Sequence, residues 1–301
     1  MSWPAYLDLY ATGELGRRAD AAAGLLEPCR VCPRECLAQR LRGERGVCRV
    51  GDQAMVSSYG PHFGEERPLV GVGGSGTIFL AHCNLCCVFC QNAEISQGDE
   101  GRTVSAGELA GMMLALQGMG CHNINLVTPT HQVPQILKAL VAAAGDGLTL
   151  PLVYNCGGYE SLEVLRLLDG VVDIYMPDFK YADAGIAREY SGVEGYPAVA
   201  RAALAEMHRQ VGDLVLDRRG IATRGLLVRH LVLPNGLAGT GEVVHFLAGV
   251  SRGSYLNVMD QYRPCYRAHE HPPLSRRPTR AEIQEAVRMA RAAGLTRLDG
   301  D

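Results

Sequence analysis

The cysteines carry most of the chemistry this sequence could perform. There are 11, and eight of them lie in two short clusters. Cys83, Cys87 and Cys90 form C-x3-C-x2-C, with Cys86 between them. Three thiolates in one short loop can hold three irons of a cubane cluster and leave the fourth open to a small molecule, because soft sulfur is the donor that Fe–S clusters take. A zinc site using Cys86 as fourth ligand is the competing reading. Structural zinc normally takes two separated pairs, and four cysteines this close crowd a tetrahedron poorly. Cys86 therefore reads as a bystander thiol.

The second set, Cys29, Cys32, Cys36 and Cys48, reads C-x2-C-x3-C-x11-C. Four thiolates make a closed site, for which zinc and a second Fe–S cluster are both open. Arg30, Arg34, Arg40, Arg42, Arg45 and Arg49 make this segment basic. The simpler reading has them screen thiolates and carboxylates; the alternative has them dock an acidic protein or electron donor. Cys121, Cys156 and Cys265 are scattered and read as small buried apolar residues, although Cys265 lies just past the last predicted strand. His82, His269 and His271 lack the spacing of a metal pair. Clustered cysteines in an odd total fit a reducing compartment better than a disulfide framework. A cytoplasmic location is expected.

These residues need elements to position them. From Thr77 onward, apolar strand-like runs alternate with helical stretches. Strands are expected at 77–82, 123–127, 151–155, 173–176, 225–233 and 255–260. Helices are expected near 105–117, 134–144, 162–168, 196–211 and 242–247, and a last one beginning at Thr279 with Glu282 three residues on. Strands alternating with helices imply a parallel sheet with ligands at the carboxyl ends of its strands. Periodicity leaves an open doubly wound sheet and a partial barrel undecided. Residues 1–75 show no such repeat and read as an N-terminal Cys-rich extension to a core at 76–301. The run Gly71–Gly76 matches G-x-G-x-x-G, but it precedes a strand instead of following one, so a dinucleotide site is not expected.

The loop Cys83-Asn84-Leu85-Cys86-Cys87-Val88-Phe89-Cys90-Gln91-Asn92 resembles that of the radical S-adenosylmethionine superfamily. With Gly76–Phe79, Glu94–Ser96, Asn123–His131 and Met176-Pro177-Asp178-Phe179-Lys180, it is similar to the subgroup related to pyruvate formate-lyase activating enzyme. The likeness runs from about Cys29 to the end. It implies a partial (β/α)6 barrel and a 4Fe–4S cluster on Cys83, Cys87 and Cys90. It also implies S-adenosylmethionine chelating the open iron through its amino and carboxylate groups. An electron from the cluster would cleave that cofactor to a 5′-deoxyadenosyl radical, which abstracts hydrogen from substrate. The cofactor does this chemistry while the protein orients it.

Further candidates follow at the strand ends. In the resembled families the residue at Phe89 sits near the adenine; loop packing is the alternative. The family's glycine- and glutamate-containing motif is missing after the second strand, so Thr128 and local carbonyls would hold the methionine amino group. Asn155 suits the ribose, with Gly157 and Gly158 allowing close backbone approach. Asp178 and Lys180 would position the cofactor carboxylate or the substrate, or pair with each other. His230 and Asn235 flank an apolar run that suits an adenine edge or plain core. Asp260, Gln261, Tyr262 and Arg263 are the substrate-facing candidates.

Composition bounds the rest. The chain has 301 residues, 29 Lys+Arg and 32 Asp+Glu, for a net charge of −3. That balance argues against a nucleic-acid-coating protein. No basic, apolar leader and no apolar run near the roughly 20 residues of a membrane span is present. The leading expectation is a radical enzyme acting on a protein or peptide, as a glycyl-radical activase does. It would be fed by a reductant such as flavodoxin or ferredoxin. The alternatives are a radical enzyme for a small molecule and, from another class, a non-catalytic Fe–S electron carrier.

Overall fold

A computed structural model describes residues 3–300. The fold is α/β, built on one mixed sheet of ten strands. The strands are β1 (Ala54–His62), β2 (Ser75–Leu80), β3 (Arg102–Val104), β4 (Ile124–Val127), β5 (Leu152–Cys156), β6 (Ile174–Pro177), β7 (Val215–Leu216), β8 (Ala222–Leu231), β9 (Tyr255–Met259) and β10 (Arg297–Leu298). Their spatial order is β10-β9-β8-β6-β5-β4-β2-β1-β3, with β7 paired to β8. From β2 to β10 the main path is parallel, while β1 runs antiparallel to both β2 and β3. All six expected strands are present, and helices occupy every expected stretch. Tyr196–Val211 has the predicted bounds. The capping box at Thr279 and Glu282 is formed, as is one at Ser105 and Glu108.

The central parallel strands β4, β5 and β6 are buried on both faces. Successive residues of a strand point to opposite sides. Tyr154, Tyr175, Leu226 and Val228 join the large core formed with the helices. Their neighbours Val153, Ile174 and Leu227 belong to a smaller apolar cluster on the other side, closed by Leu69, Met176, Leu214 and Ala222. Leu69 comes from the short helix Arg67–Val70, which the sequence did not signal.

Residues 3–75 carry regular elements although their sequence shows no strand–helix repeat. They carry helices Tyr6–Ala11 and Glu14–Gly24, and β1 belongs to the common sheet. This segment is stitched to the amino ends of distant strands. Tyr6 Oη donates to the carbonyls of Leu148 and Leu150 at 3.1 and 3.0 Å. The Ala5 amide donates to Asp173 Oδ1 at 3.1 Å, and Trp3 Nε1 to the Thr223 carbonyl at 2.9 Å. Among the described residues no helix is long and apolar enough to cross a membrane.

Candidate functional site

The loop bearing Cys83, Cys87 and Cys90 leaves the carboxyl end of β2. His82 turns the chain there with φ of +67°, a left-handed conformation uncommon outside glycine. The loop is then pinned by backbone bonds. The Cys86 amide donates to the Ser191 carbonyl at 3.2 Å, and the Val88 amide to the Tyr190 carbonyl at 2.9 Å. Three thiols have a close polar neighbour: the Leu85 amide donates to Cys83 Sγ at 3.3 Å, and the Ser191 and Ser96 hydroxyls share hydrogen bonds with Cys87 Sγ at 2.9 Å and Cys90 Sγ at 3.1 Å. Cys86 lies instead 3.9 Å from Arg34 Nη2. Burial raises the pKa of Cys83, and Cys87 and Cys90 beside it raise it further. Burial likewise raises that of Cys87, while Lys180 and Ser191 pull it down.

A polar layer sits one step further along the inner face. Asn155 follows Val153 by two residues, Asp178 follows Met176, and Arg229 follows Leu227, so all three rise above the small apolar cluster. Arg229 Nε donates to Asp178 Oδ1 at 2.7 Å and Nη2 to Asn155 Oδ1 at 2.6 Å. Lys180 Nζ reaches Asp178 Oδ2 at 2.6 Å. Burial works to raise the Asp178 carboxyl, but the Arg229 and Lys180 cations outweigh it and hold the group below its usual range. Lys180 is itself held above its usual range: burial opposes the charge, while Asp178 and Cys87 favour it. Glu65, after β1, lies 3.9 Å from Arg229, and burial raises its pKa. Glu66 accepts from Asn257 Nδ2 at 3.0 Å.

Not every expected residue joins this layer. His230 is the neighbour of Arg229 on β8 and therefore faces the helices. Its Nδ1 lies 2.7 Å from the Phe179 carbonyl and its Nε2 2.9 Å from Thr240 Oγ1, so both nitrogens are engaged away from the layer. Arg229 is the residue that sequence reasoning missed; stepping by two from Leu227 would have found it. Asn235 bonds the Pro273 carbonyl at the surface. Phe89 is buried edge-on against Tyr181 and Tyr262, with ring centroids 6.3 and 5.8 Å apart. Tyr262 is core as well, its hydroxyl donating to the Leu274 carbonyl at 2.7 Å. Asp260, Gln261 and Arg263 are exposed beyond β9.

Thr128 ends β4 with φ of +60°, a costly conformation for a β-branched residue, and its amide donates to the Asn155 carbonyl at 2.8 Å. Gly158 has φ of +77°, and a Cβ there would lie 2.3 Å from the Asp178 carbonyl oxygen. At Gly157 a Cβ would lie 2.8 Å from Leu85 Cδ1, so both glycines are packed closely within the protein itself.

The four N-terminal cysteines come together. Cys29, Cys32, Cys36 and Cys48 line one small cavity with Val31, Arg34, Arg40, Val47, Asn84 and His131. Cys29, Cys32 and Cys48 are buried and Cys36 is exposed. Asn84 belongs to the other cysteine loop, so the two sites share a wall. Arg40 and Arg34 serve this interior, and Arg49 bonds the Gln97 and Gly98 carbonyls at 2.6 and 2.7 Å. Among the described residues no group of three or more His, Cys, Asp or Glu side chains is placed so that it could hold a metal ion.

The chain is 32% identical over 291 residues to the uncharacterized protein MJ0674 of Methanocaldococcus jannaschii, a match covering 93% of this chain and 79% of that protein. No family model matches.

Proposed function

We propose that this chain, which belongs to one family with the uncharacterized protein MJ0674 of Methanocaldococcus jannaschii, is a radical S-adenosylmethionine enzyme acting on a protein or peptide. The observation that carries the reading is the unequal treatment of four neighbouring thiols. Cys83, Cys87 and Cys90 each lie within 3.3 Å of an amide or hydroxyl, while the polar contact of Cys86 is the longer one, 3.9 Å from Arg34 Nη2. Hydrogen bonds to sulfur stabilise thiolates and tune an Fe–S cluster. The pattern fits three ligands and one bystander, the set that the C-x3-C-x2-C spacing anticipates.

The strand order supports the same reading. The strands β2, β4, β5, β6, β8 and β9 lie side by side in chain order without the reversal of a doubly wound sheet. Right-handed crossovers then put their helices on one face, as a partial (β/α)6 barrel requires. Bound there, a 4Fe–4S cluster would supply the electron that cleaves S-adenosylmethionine to methionine and a 5′-deoxyadenosyl radical.

The chain's own residues have the remaining tasks. Lys180 offsets thiolate charge near Cys87. Arg229 and Asp178 hold each other and Asn155 in a fixed polar layer that can orient a zwitterionic and ribose-bearing cofactor. Phe89, packed on Tyr181 and Tyr262, keeps water from the loop. The exposed Asp260, Gln261 and Arg263 offer a polar rim to a polypeptide substrate. A small polar substrate is the second reading. It is favoured by the fully buried Asn125, whose side-chain amide has no hydrogen-bond partner.

Anaerobic reconstitution followed by dithionite reduction tests the proposal. The expected result is methionine and 5′-deoxyadenosine formed from S-adenosylmethionine, slowly even without substrate. Yields no higher than those of the variant lacking Cys83, Cys87 and Cys90 would overturn it and favour an electron carrier.

A further inference from the structure

We infer that Cys29, Cys32, Cys36 and Cys48 hold a single thiolate-bound metal ion, of which zinc is the class that fits, with the buried guanidinium of Arg40 as its charge partner. The inference stands independently of the chemistry proposed for the Cys83 loop.

Arg40 is the first ground. It is 1% exposed. Its donors go to the Gly51 carbonyl at 3.0 and 2.7 Å, to the His131 carbonyl at 2.9 Å and to Cys29 Sγ at 3.8 Å. Among the described residues no carboxylate lies within ion-pair distance of it. A guanidinium does not deprotonate in a protein, and an uncompensated buried charge is strongly unfavourable. Four neutral thiols give Arg40 nothing to pair with. A divalent ion taken up with loss of the four thiol protons leaves two negative charges beside it.

Loop geometry and size are the second ground. The Cys29 amide donates to the Ala38 carbonyl and the Leu37 amide to the Cys29 carbonyl, at 3.0 and 3.1 Å, closing a tight loop around Cys32 and Cys36. Glu35 and Leu37 in that loop, and Arg49 beside Cys48, all have positive φ without being glycine. A Cβ on Gly46 would stand 2.3 Å from Cys36 Sγ, so a larger residue there would displace that thiol. The thiols line a small space of about 10 Å³, room for one water-sized guest. They have not yet converged on one point, and the ion is what would draw them in.

Metal analysis of the full chain with Cys83, Cys87 and Cys90 all replaced by Ala tests this without the other loop. One zinc per chain is expected, falling to background when Cys32→Ser and Cys48→Ser are added. About four irons with sulfide, or no metal at all, would overturn the inference. Wild-type protein gives a second reading should that variant fold poorly: zinc near one per chain in addition to any iron. Arg40→Met should weaken zinc retention against a chelator roughly 10- to 100-fold; unchanged retention would remove Arg40 from the site.

Discussion

Arg34 lies inside the first cysteine cluster, yet its Nε donates to the backbone carbonyl of Asn84, next to Cys83, at 2.5 Å. The same guanidinium reaches the Gly192 and Ser191 carbonyls at 3.3 and 3.5 Å. One side chain thus ties the N-terminal loop to the second cysteine loop and to the segment that brings Ser191 to Cys87.

Replacing Arg34 should loosen both loops together. Arg34→Ala removes these three carbonyl contacts and the one to Cys86 Sγ at a half-buried position and should cost about 1–2 kcal/mol in denaturant unfolding at fixed metal content. Arg34→Lys should recover only part of this, since one ammonium lacks the planar fork that meets several carbonyls. Equal stability of wild type and Arg34→Ala would show that the tie contributes nothing.

The four thiols of the second loop should separate into three and one. Cys83→Ala, Cys87→Ala and Cys90→Ala should each abolish or strongly reduce reconstituted iron and the visible absorbance of a cluster. Cys86→Ala should keep both near wild-type levels. Iron lost from Cys86→Ala would make it a ligand.

Arg229→Met isolates the polar layer. It leaves Asp178 half-paired and Asn155 Oδ1 without its donor. Breaking a largely buried ion pair from one side costs about 3 kcal/mol or more. Lys180 remains as partial compensation, so a loss of about 2–3 kcal/mol in urea unfolding is expected. Adding Asp178→Asn should be far from additive, because the two residues contact each other. Additive losses would contradict the coupling.

Glu160 predicts a pH dependence. It is buried, and burial raises its carboxyl to about 7 although Thr130 Oγ1 and Tyr154 Oη hydrogen-bond to it at 2.7 and 2.8 Å. The folded protein then holds this proton where the unfolded chain has released it. Its stabilising effect is complete below pH of about 4.5, fades as pH rises toward 7, and is gone above that. Wild type should lose about 3 kcal/mol relative to Glu160→Gln across that window. Parallel stability–pH curves for the two proteins would refute the assignment.

Some of this was written plainly in the sequence, for physical reasons. Tyr196–Val211 has a buried stripe at helical spacing, and Thr279 and Glu282 form a capping box, so local signals sufficed. The cysteine spacing alone drew attention to both loops, and Asp178 and Lys180 do pair. Arg229 and His230 were exchanged because a strand buried on both faces has no polar alternation to reveal which side is inner. β1 and β3 went unseen because many of their positions are exposed or half-buried, where apolar patterning is weak. Arg40 stands out in no way among six neighbouring arginines; its burial depends on the Gly51 and His131 carbonyls, which only the tertiary fold brings to it.

Trp3, whose indole meets the Thr223 carbonyl, is the single tryptophan of the chain and is 52% exposed. Its fluorescence is therefore a local probe. Detachment of the first few residues from the start of β8 would change the emission while the sheet stays intact, and sheet unfolding need not coincide with that change. A tryptophan-detected melt of any variant above would follow the fastening of the N-terminal segment. Circular dichroism at backbone wavelengths would follow the sheet and helices. The gap between the two curves would measure how independently that segment lets go.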